Sequence, residues 1–344
     1  MTRYNSFRAL ARRAIAMALS VLFLLTLLIS CSSSSKPIKP SEQDLKVVAT
    51  CGGYDIYYEE LRYVALSYRD QMATRYGKDI WTDPEKVAIY LPQLQKKVND
   101  SLTVNYAILA LCAEVGISIE EKAIQNSVQE MIDQTVNEVG GRQNYIDLLE
   151  QMYMTDHFVR FTLATDMCET ELAYVMMDLE QIIDNEKDFL PYALDDNNFC
   201  ATFHLYIAHD EGESVEDNRK KAETALKMLE EGKPIKEMIA SIYNDDVYET
   251  GTPYHFTRGE YEEIYEETAF ALGVGERSGI IEVDNGFYII ERQPLSEQYI
   301  MSNLTELFQR YQYAQVELMI SERRQELAVV WNEYGASLDL LTLK

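Results

Sequence analysis

The sequence predicts an α+β fold in which a compact unit of strands and helices is inserted into a mostly helical body. Through most of residues 46–195, apolar residues recur every three or four positions, which is typical of packed helices. Between residues 196 and 295, strand-like runs and a strong hairpin signal replace that spacing. In residues 296–344 the helical spacing returns, so the α+β unit interrupts the helical body.

The composition is that of a globular and strongly acidic protein. Of 344 residues, 47% are hydrophobic and 26% are charged, which excludes a wholly disordered chain. The 57 acidic and 31 basic side chains give a formal net charge of −26 at pH 7. A field of that sign repels phosphate backbones, so nucleic acid is excluded as a partner.

The first thirty residues have the layout of a secretory signal peptide. Four arginines precede the apolar run Ala14 to Ile29, and removing them would take the net charge from −26 to −30. The run meets Leu28-Ile29-Ser30-Cys31, which resembles the bacterial lipoprotein box, whose cysteine is lipidated and becomes the new N-terminus. The alternative is an uncleaved membrane helix, but this run is short for a membrane span. We therefore expect a signal peptide over residues 1–30, lipidation at Cys31 and a protein anchored on the extracytoplasmic face of the cell membrane.

Residues 31–45 are predicted to be a tether. They contain a run of serines and two prolines and offer little apolar surface to bury. Stable anchoring through such a tether needs two or more acyl chains on Cys31.

The helical body begins with an extended segment that turns at Gly52-Gly53. An apolar stripe then runs from Tyr57 to Met72, and Pro84 opens a second helix that continues to about Val115. Two further helices are predicted over residues 143–152 and 156–179.

Between the second helix and these two, Ser118 to Glu121 is interpreted as a capping box. The helix that it opens should have an apolar face formed by Ile124, Val128, Met131, Thr135 and Val139.

The α+β unit follows an acidic connector over residues 184–198. Strands are predicted over residues 201–208, 278–283 and 287–293, and helices over residues 218–231 and 234–243. The last two strands are joined by Asp284-Asn285-Gly286, a strong hairpin signal. After Pro294, Ile300 to Leu318 step by three and four, and this helix is expected to pack back on the helical body.

The remaining cysteines and the histidines show no metal-binding spacing. Cys51, Cys112, Cys168 and Cys200 contain no CxxC pair, and in an oxidising compartment they could form disulfides or remain buried thiols; we favour buried thiols. The four histidines form neither an HExxH motif nor a zinc spacing with cysteine. We predict neither a metal nor a cofactor.

Several ordered motifs in residues 200–293 resemble the parvulin-type (PpiC or rotamase) peptidyl-prolyl isomerases. They are Phe256-Thr-Arg-Gly-Glu-Tyr261, then Tyr265-Glu-Glu-Thr-Ala-Phe270-Ala-Leu-Gly-Val-Gly-Glu-Arg-Ser278, and finally Gly286-Phe-Tyr-Ile-Ile290. Ala201 to Ile207 also resembles the family's first strand with its histidine, and Tyr243 to Asp246 resembles the segment that carries a central Asp or Cys.

The resemblance implies a set of catalytic positions. His204 stands at the first histidine and Asp246 at the central Asp or Cys. Asn285 stands at a Ser or Thr, and Tyr288 replaces the second histidine, so two of the four polar positions are altered. Their hydroxyl and amide groups could still donate hydrogen bonds.

The resemblance also implies a proline-binding pocket. Tyr261 and Tyr265 stand where the family has a Met and a Phe, and Phe256 and Phe270 belong to the same motifs. The exchange of Met for Tyr261 should narrow the pocket and make its wall more polar.

Each catalytic assignment has a structural alternative. His204 could be a satisfied buried histidine, and Asp246 could simply form a turn after Asn244. Tyr288 could be a core aromatic residue, and Asn285 is first of all a hairpin residue.

The helical body resembles, more weakly, the chaperone region of SurA-like and PrsA-like extracytoplasmic foldases. The two resemblances together imply a membrane-anchored foldase that isomerises X-Pro bonds in unfolded exported polypeptides. The alternative is a holdase that binds unfolded chains while its altered parvulin domain has little or no activity.

Overall fold

The computed structural model describes residues 36–179, 181–209, 214–246 and 251–344. The predicted signal peptide and the lipidation site Cys31 lie outside these residues. In chain order the described elements are β1 (Val47–Cys51), β2 (Tyr54–Tyr57), α1 (Tyr58–Tyr76), a short 3₁₀ helix (Lys78–Trp81), α2 (Pro84–Glu114), α3 (Lys122–Glu138), α4 (Arg142–Gln151), α5 (Asp156–Asp178), α6 (Glu186–Ala193), β3 (Phe199–Ala208), α7 (Val215–Glu230), α8 (Ile235–Met238), β4 (Tyr254–Thr257), α9 (Glu263–Ala271), β5 (Ile281–Val283), β6 (Gly286–Gln293), α10 (Glu297–Ser302), α11 (Leu304–Glu326), β7 (Val329–Trp331) and α12 (Glu333–Ala336).

The chain divides into two compact units. Residues 176–318 form the α+β unit, and residues 36–175 together with 319–344 form the helical unit. The predicted fold class, an α+β unit inserted into a mostly helical body, is confirmed. The α+β unit is wider than the predicted 196–295, because α6 and most of α11 are part of it.

Helix α6 lies in the segment predicted to be a connector. The side chain of Asn185 caps its first turn by accepting a hydrogen bond from the backbone N–H of Asp188 at 3.0 Å. Phe189 is fully buried, with its ring centroid 5.2 Å from that of Tyr311 in α11. This aromatic contact joins α6 to the part of α11 that belongs to the α+β unit.

In the helical unit the two chain ends meet in one sheet of order β2-β1-β7. Strand β7 pairs antiparallel with β1, which places Trp331 opposite Ala49. Gly335, four residues after β7, lies so close to β1 that a Cβ on it would be 2.0 Å from the carbonyl oxygen of Val48. The last turn of α11 is fixed to α2 by an ion pair of 2.6 Å between Arg323 and Glu114. The C-terminal part of the chain therefore completes the helical unit.

The described part of the predicted tether is held to this unit. The backbone N–H of Ile38 donates to the carboxylate of Asp156 at 3.0 Å, and Arg142 donates to the carbonyl of Lys36. Residues 36–45 are therefore fixed at the surface of the helical unit.

Helix α3 corrects two expectations. Its buried face consists of Ile124, Val128, Ile132 and Val136, whereas Met131 is exposed and Thr135 is half-buried. The stripe follows a strict i, i+4 step, so the predicted three-residue step to Met131 was wrong.

The predicted capping box before α3 is a separate turn. The Ser118 hydroxyl accepts from the N–H of Glu120 at 3.2 Å, and Glu121 accepts from the N–H of Ser118 at 3.1 Å. The helix begins only afterwards, at Lys122, so these hydrogen bonds do not cap its first turn.

The α+β unit is built on an antiparallel sheet of order β4-β3-β6-β5. Every residue of β3 is buried, because helices α7 and α8 cover one face of the sheet and α9 covers the other. The predicted helix over residues 234–243 is only the four-residue α8, since Ser241 and Asn244 bind its last carbonyls and turn the chain.

The predicted β5–β6 hairpin is confirmed. Gly286 follows its turn, and a Cβ there would lie 2.2 Å from the carbonyl oxygen of Ile207 in β3. The glycine is therefore required by the close approach of two backbones.

Cys51, Cys112, Cys168 and Cys200 are buried thiols, as the favoured interpretation of the sequence predicts. Among the described residues, no helix is both long and apolar enough to cross a membrane.

A carboxyl group is buried in the helical unit at the start of α1. The Tyr106 hydroxyl lies 3.1 Å from Glu60 Oε2 and 3.1 Å from the carbonyl oxygen of Asp55. Burial raises the pKa of Glu60 to about 8, so this carboxyl is protonated in the folded protein at neutral pH. The neighbouring Glu59 instead pairs with His157 Nδ1 at 2.5 Å.

Replacing Glu60 should change how stability depends on pH. Between pH 4.5 and about 8 the native Glu60 keeps a proton that the unfolded chain has lost. The free energy of unfolding therefore falls as pH rises through this range, by up to about 1.4 kcal/mol per pH unit. Glu60→Gln retains an oxygen that accepts from the Tyr106 hydroxyl but cannot ionise, so urea unfolding at pH 5, 6.5 and 8 should show a flatter dependence of the free energy of unfolding on pH.

Glu120→Gln is the matched control, because Glu120 is an exposed side chain in the same unit. The assignment fails if Glu60→Gln and Glu120→Gln have the same pH dependence.

Candidate active site

The site is built around strand β3, where Thr202, His204 and Tyr206 alternate with residues of the opposite face. His204 is paired with Ile290 of the neighbouring β6, and Tyr206 with Tyr288. His204 is only 2% exposed, so its polar atoms must find partners within the protein.

Both ring nitrogens of His204 have a hydrogen-bond partner. Nδ1 lies 2.8 Å from the hydroxyl of Tyr265 on α9, and Nε2 lies 3.0 Å from Oδ2 of Asp246. The two principal residues predicted from the sequence, His204 and Asp246, are therefore in direct contact.

Asp246 is held by the loop that precedes it. The side chain of Asn244 accepts from the backbone N–H of Tyr206 at 2.9 Å, and the backbone N–H of Asp245 donates to the carbonyl of Tyr206 at 2.7 Å. These bonds fix the loop to β3. Asn244 and Asp245 thus form the turn, and the side chain of Asp246 points to His204.

Two further residues extend this hydrogen-bonded set. The hydroxyl of Thr202 lies 2.8 Å from that of Tyr265, and the hydroxyl of Tyr254 donates to Asp246 Oδ2 at 2.6 Å. The ring of Tyr254 also stacks on His204, with parallel planes and centroids 4.7 Å apart. The sequence motifs did not single out either residue, since Thr202 lies in the first-strand motif without an assigned role and Tyr254 lies outside the motifs.

Tyr288, on β6, lies beside His204 and Tyr265. Its ring meets that of His204 edge-on at 5.1 Å and that of Tyr265 at 5.0 Å. Burial raises the pKa of Tyr288, so its hydroxyl keeps its proton at neutral pH. Among the described residues, no hydrogen-bond partner of that hydroxyl is found, which leaves it available to a ligand.

The four predicted pocket residues form one aromatic cluster. Tyr261 stacks on Tyr265 with centroids 4.5 Å apart, and Phe256 contacts Tyr261 at 4.8 Å and Phe270 at 5.9 Å. Phe256 and Tyr265 have no exposed surface, whereas Tyr261 and Phe270 are half-buried. The stacked ring of Tyr261 therefore contributes to the burial of Tyr265.

A buried carboxylate fixes the segment that carries Tyr261. Glu266 accepts hydrogen bonds from the backbone N–H groups of Gly259, Glu260 and Tyr261 at 2.9, 2.8 and 2.7 Å. Burial raises the pKa of Glu266 to about 7. Gly259 has φ +91°, and a Cβ there would lie 2.4 Å from the carbonyl oxygen of Ala314, so this position requires glycine.

Asn285 lies in the β5–β6 turn. Its carbonyl accepts hydrogen bonds from the hydroxyl of Tyr206 at 2.7 Å and the backbone N–H of His209 at 2.8 Å, and its side chain is exposed. It is thus linked to the site through Tyr206 and makes no hydrogen bond to His204. In the described part of the chain, no cluster of His, Cys, Asp and Glu could hold a metal ion.

Comparisons with known proteins match two successive regions of the chain. The model of the SurA-like N-terminal domain family matches residues 4–173, and that of the PPIC-type PPIase domain family matches residues 204–293. Both resemblances inferred from the sequence motifs are confirmed.

Individual relatives match one or both regions. The foldase protein PrsA of Caldanaerobacter subterraneus subsp. tengcongensis is 23% identical over 293 residues, which are 83% of this chain and 84% of that protein. The peptidyl-prolyl cis-trans isomerase pin1 of Schizosaccharomyces pombe is 29% identical over 140 residues, 36% of this chain and 80% of that protein.

Among solved structures, that of foldase protein PrsA from Streptococcus pneumoniae is 17% identical, with 81% of this chain and 92% of that one aligned at a TM-score of 0.32. That score is too low to establish a shared overall fold, so the assignment rests on the two family models. The chain combines a SurA-like N-terminal domain with a PPIC-type domain, and its enzyme class is that of the parvulin-type peptidyl-prolyl cis-trans isomerases.

Proposed function

We propose that this protein is a membrane-anchored extracytoplasmic foldase that isomerises X-Pro bonds in unfolded exported polypeptides. The observation that carries the proposal is the contact between His204 and Asp246 beside an aromatic cluster and the available hydroxyl of Tyr288. The similarity to a protein named foldase PrsA supports the same function.

Isomerisation makes and breaks no covalent bond, so the site must favour the twisted amide over both planar forms. The barrier to rotation about a peptide bond is about 18–20 kcal/mol, because rotation removes the amide resonance. X-Pro bonds cross it in tens to hundreds of seconds, slowly enough to limit folding. A catalyst lowers this barrier by gripping the ring and by binding the twisted amide with fixed polar groups.

The residues of the site suit these two tasks. The half-buried faces of Tyr261 and Phe270 offer apolar contact to a proline ring. The hydroxyl of Tyr288 can donate to the imide nitrogen, which becomes a hydrogen-bond acceptor as the amide twists. The partly exposed carboxylate of Asp246 lies next to the same space and is held there by His204.

The membrane anchor is part of the same proposal. It rests on the arginine-rich start, the apolar run and the cysteine at its end. Acyl chains on Cys31 would hold the protein where exported chains emerge and fold.

A holdase without isomerase activity is the second candidate. It is favoured by the stacking of Tyr261 over Tyr265 and by the presence of Tyr288 at the second histidine position. In that case the aromatic cluster would bind apolar segments of unfolded chains without turnover.

Isomerase activity should depend on Asp246. We expect residues 32–344 to accelerate cis/trans exchange of X-Pro tetrapeptides, measured by NMR exchange spectroscopy. Asp246→Asn should lower kcat/KM about tenfold or more, because it replaces an acceptor that binds His204 and Tyr254.

Asp196→Asn, which alters an exposed side chain of the same unit, should retain the native rate. Acceleration that is equal in Asp246→Asn and native protein would refute the site. No acceleration by the native protein would favour the holdase.

Opening the aromatic cluster should increase turnover. Tyr261→Met removes the ring stacked on Tyr265, so a proline ring could contact Tyr265 directly. We expect kcat/KM to rise several-fold, on the order of 1 kcal/mol in transition-state free energy. Tyr313→Met, at a 68% exposed position of the same unit, is the control. An unchanged or lower kcat/KM for Tyr261→Met would show that Tyr261 does not block the pocket.

Loss of Cys31 should release the protein from the membrane. In cells that produce Cys31→Ser, the protein should move from the membrane fraction to the soluble extracytoplasmic fraction, since no acyl chain can be attached. Ser35→Ala should remain in the membrane fraction. Retention of Cys31→Ser in the membrane after a high-salt wash would contradict lipid anchoring through this residue.

A further inference from the structure

The site lacks the second histidine of the parvulin pattern, so another group must fix the tautomer of His204. A neutral imidazole carries its proton on either Nδ1 or Nε2, and the hydrogen bond at one nitrogen decides which. In this structure Tyr288 stands at the second histidine position and contacts His204 only through its ring edge. The tautomer must therefore be set by the hydrogen bonds at the two nitrogens.

The arrangement at Asp246 favours a proton on Nε2. Oδ2 of Asp246 lies 3.0 Å from His204 Nε2 and accepts from the hydroxyl of Tyr254 at 2.6 Å. An ionised carboxylate can only accept hydrogen bonds, so Nε2 must be the donor. In the neutral ring Nδ1 is then an acceptor.

The other nitrogen has a partner of the matching kind. The hydroxyl of Tyr265 lies 2.8 Å from Nδ1 and can donate its single proton there. The hydroxyl of Thr202, 2.8 Å from the same oxygen, can then donate to Tyr265. When His204 is neutral and protonated at Nε2, each donor in this chain of hydrogen bonds has one acceptor.

Tyr254 makes two contacts that hold the carboxylate and the imidazole together. Its ring lies parallel to that of His204 with centroids 4.7 Å apart, while its hydroxyl binds Asp246. It is held in turn by β4, where it pairs with Thr202 of β3. A single side chain on a paired strand thus sets both the plane of the imidazole and the position of its carboxylate partner.

We propose that Tyr254 is a positioning residue, which fixes Asp246 so that Nε2 of His204 donates its proton to that carboxylate. This inference rests on the proposed function, because it gives His204 and Asp246 a role in isomerisation. It assigns to Tyr254 the task that a second histidine would otherwise perform, and it leaves the Tyr288 hydroxyl for the substrate.

The test compares the full mature chain with Tyr254→Phe, which keeps the stacked ring and removes the hydroxyl. Tyr313→Phe is the control, because it removes the hydroxyl of a tyrosine that is 68% exposed in the same unit and lies outside the site. The tautomer of His204 is measured by ¹⁵N NMR of the imidazole nitrogens, and His204→Gln identifies the His204 signals among those of the four histidines. The kcat and KM values for an X-Pro peptide are measured on the same samples.

We expect the native protein and Tyr313→Phe to show, in the neutral imidazole of His204, the proton on Nε2 and none on Nδ1. Tyr254→Phe should show a mixture of tautomers and about a tenfold lower kcat with little change in KM, the size expected for one lost hydrogen bond. A native His204 whose neutral ring carries its proton on Nδ1 would overturn the proposal whether or not the protein is active. A Tyr254→Phe variant with the native tautomer, or with the same kinetics as Tyr313→Phe, would also overturn it.

The NMR measurement separates this inference from the proposed function. If the native protein does not accelerate isomerisation but shows the expected tautomer and its loss in Tyr254→Phe, the positioning role stands and the isomerase function fails.

Discussion

The site depends on the complete burial of strand β3 at the centre of its sheet. Strand β3 pairs with β4 on one edge and with β6 on the other. One face of the strand packs against α7 and α8, and the other face packs against α9 and the aromatic cluster. The strand cannot shift by one residue without moving every side chain to the other face. His204 therefore has a fixed depth and direction, and the loop bearing Asp246 is tied to the same strand through Tyr206.

Much of this arrangement could be predicted from the sequence, because β3 and the β5–β6 hairpin have strong local signals. The contact between His204 and Asp246 followed only from the family resemblance, since their 42-residue separation leaves no periodic trace. Strand β4 and Tyr254 were missed because four residues are too few to show alternation. Helix α6 was missed because Pro191 and its acidic residues resemble a connector, although Phe189 is fully buried.

Tyrosine replaces other residue types in a connected way around His204. A phenylalanine at position 265 would fill the same space but could not donate to Nδ1, and a histidine at position 288 would compete for the same imidazole. The hydroxyls of Tyr254 and Tyr265 instead occupy both ends of the His204–Asp246 pair. Loss of either hydroxyl would therefore remove one hydrogen bond from the His204–Asp246 pair.

The division of the chain into two units also separates its fluorophores. The two tryptophans are Trp81 in the 3₁₀ helix and Trp331 in β7, and both lie in the helical unit. The α+β unit has none, but its site is crowded with tyrosines. Emission excited selectively at tryptophan therefore reports on the helical unit, while near-ultraviolet tyrosine signals include the candidate site in the α+β unit. The natural sequence already carries the labels needed to follow the two units separately during denaturation.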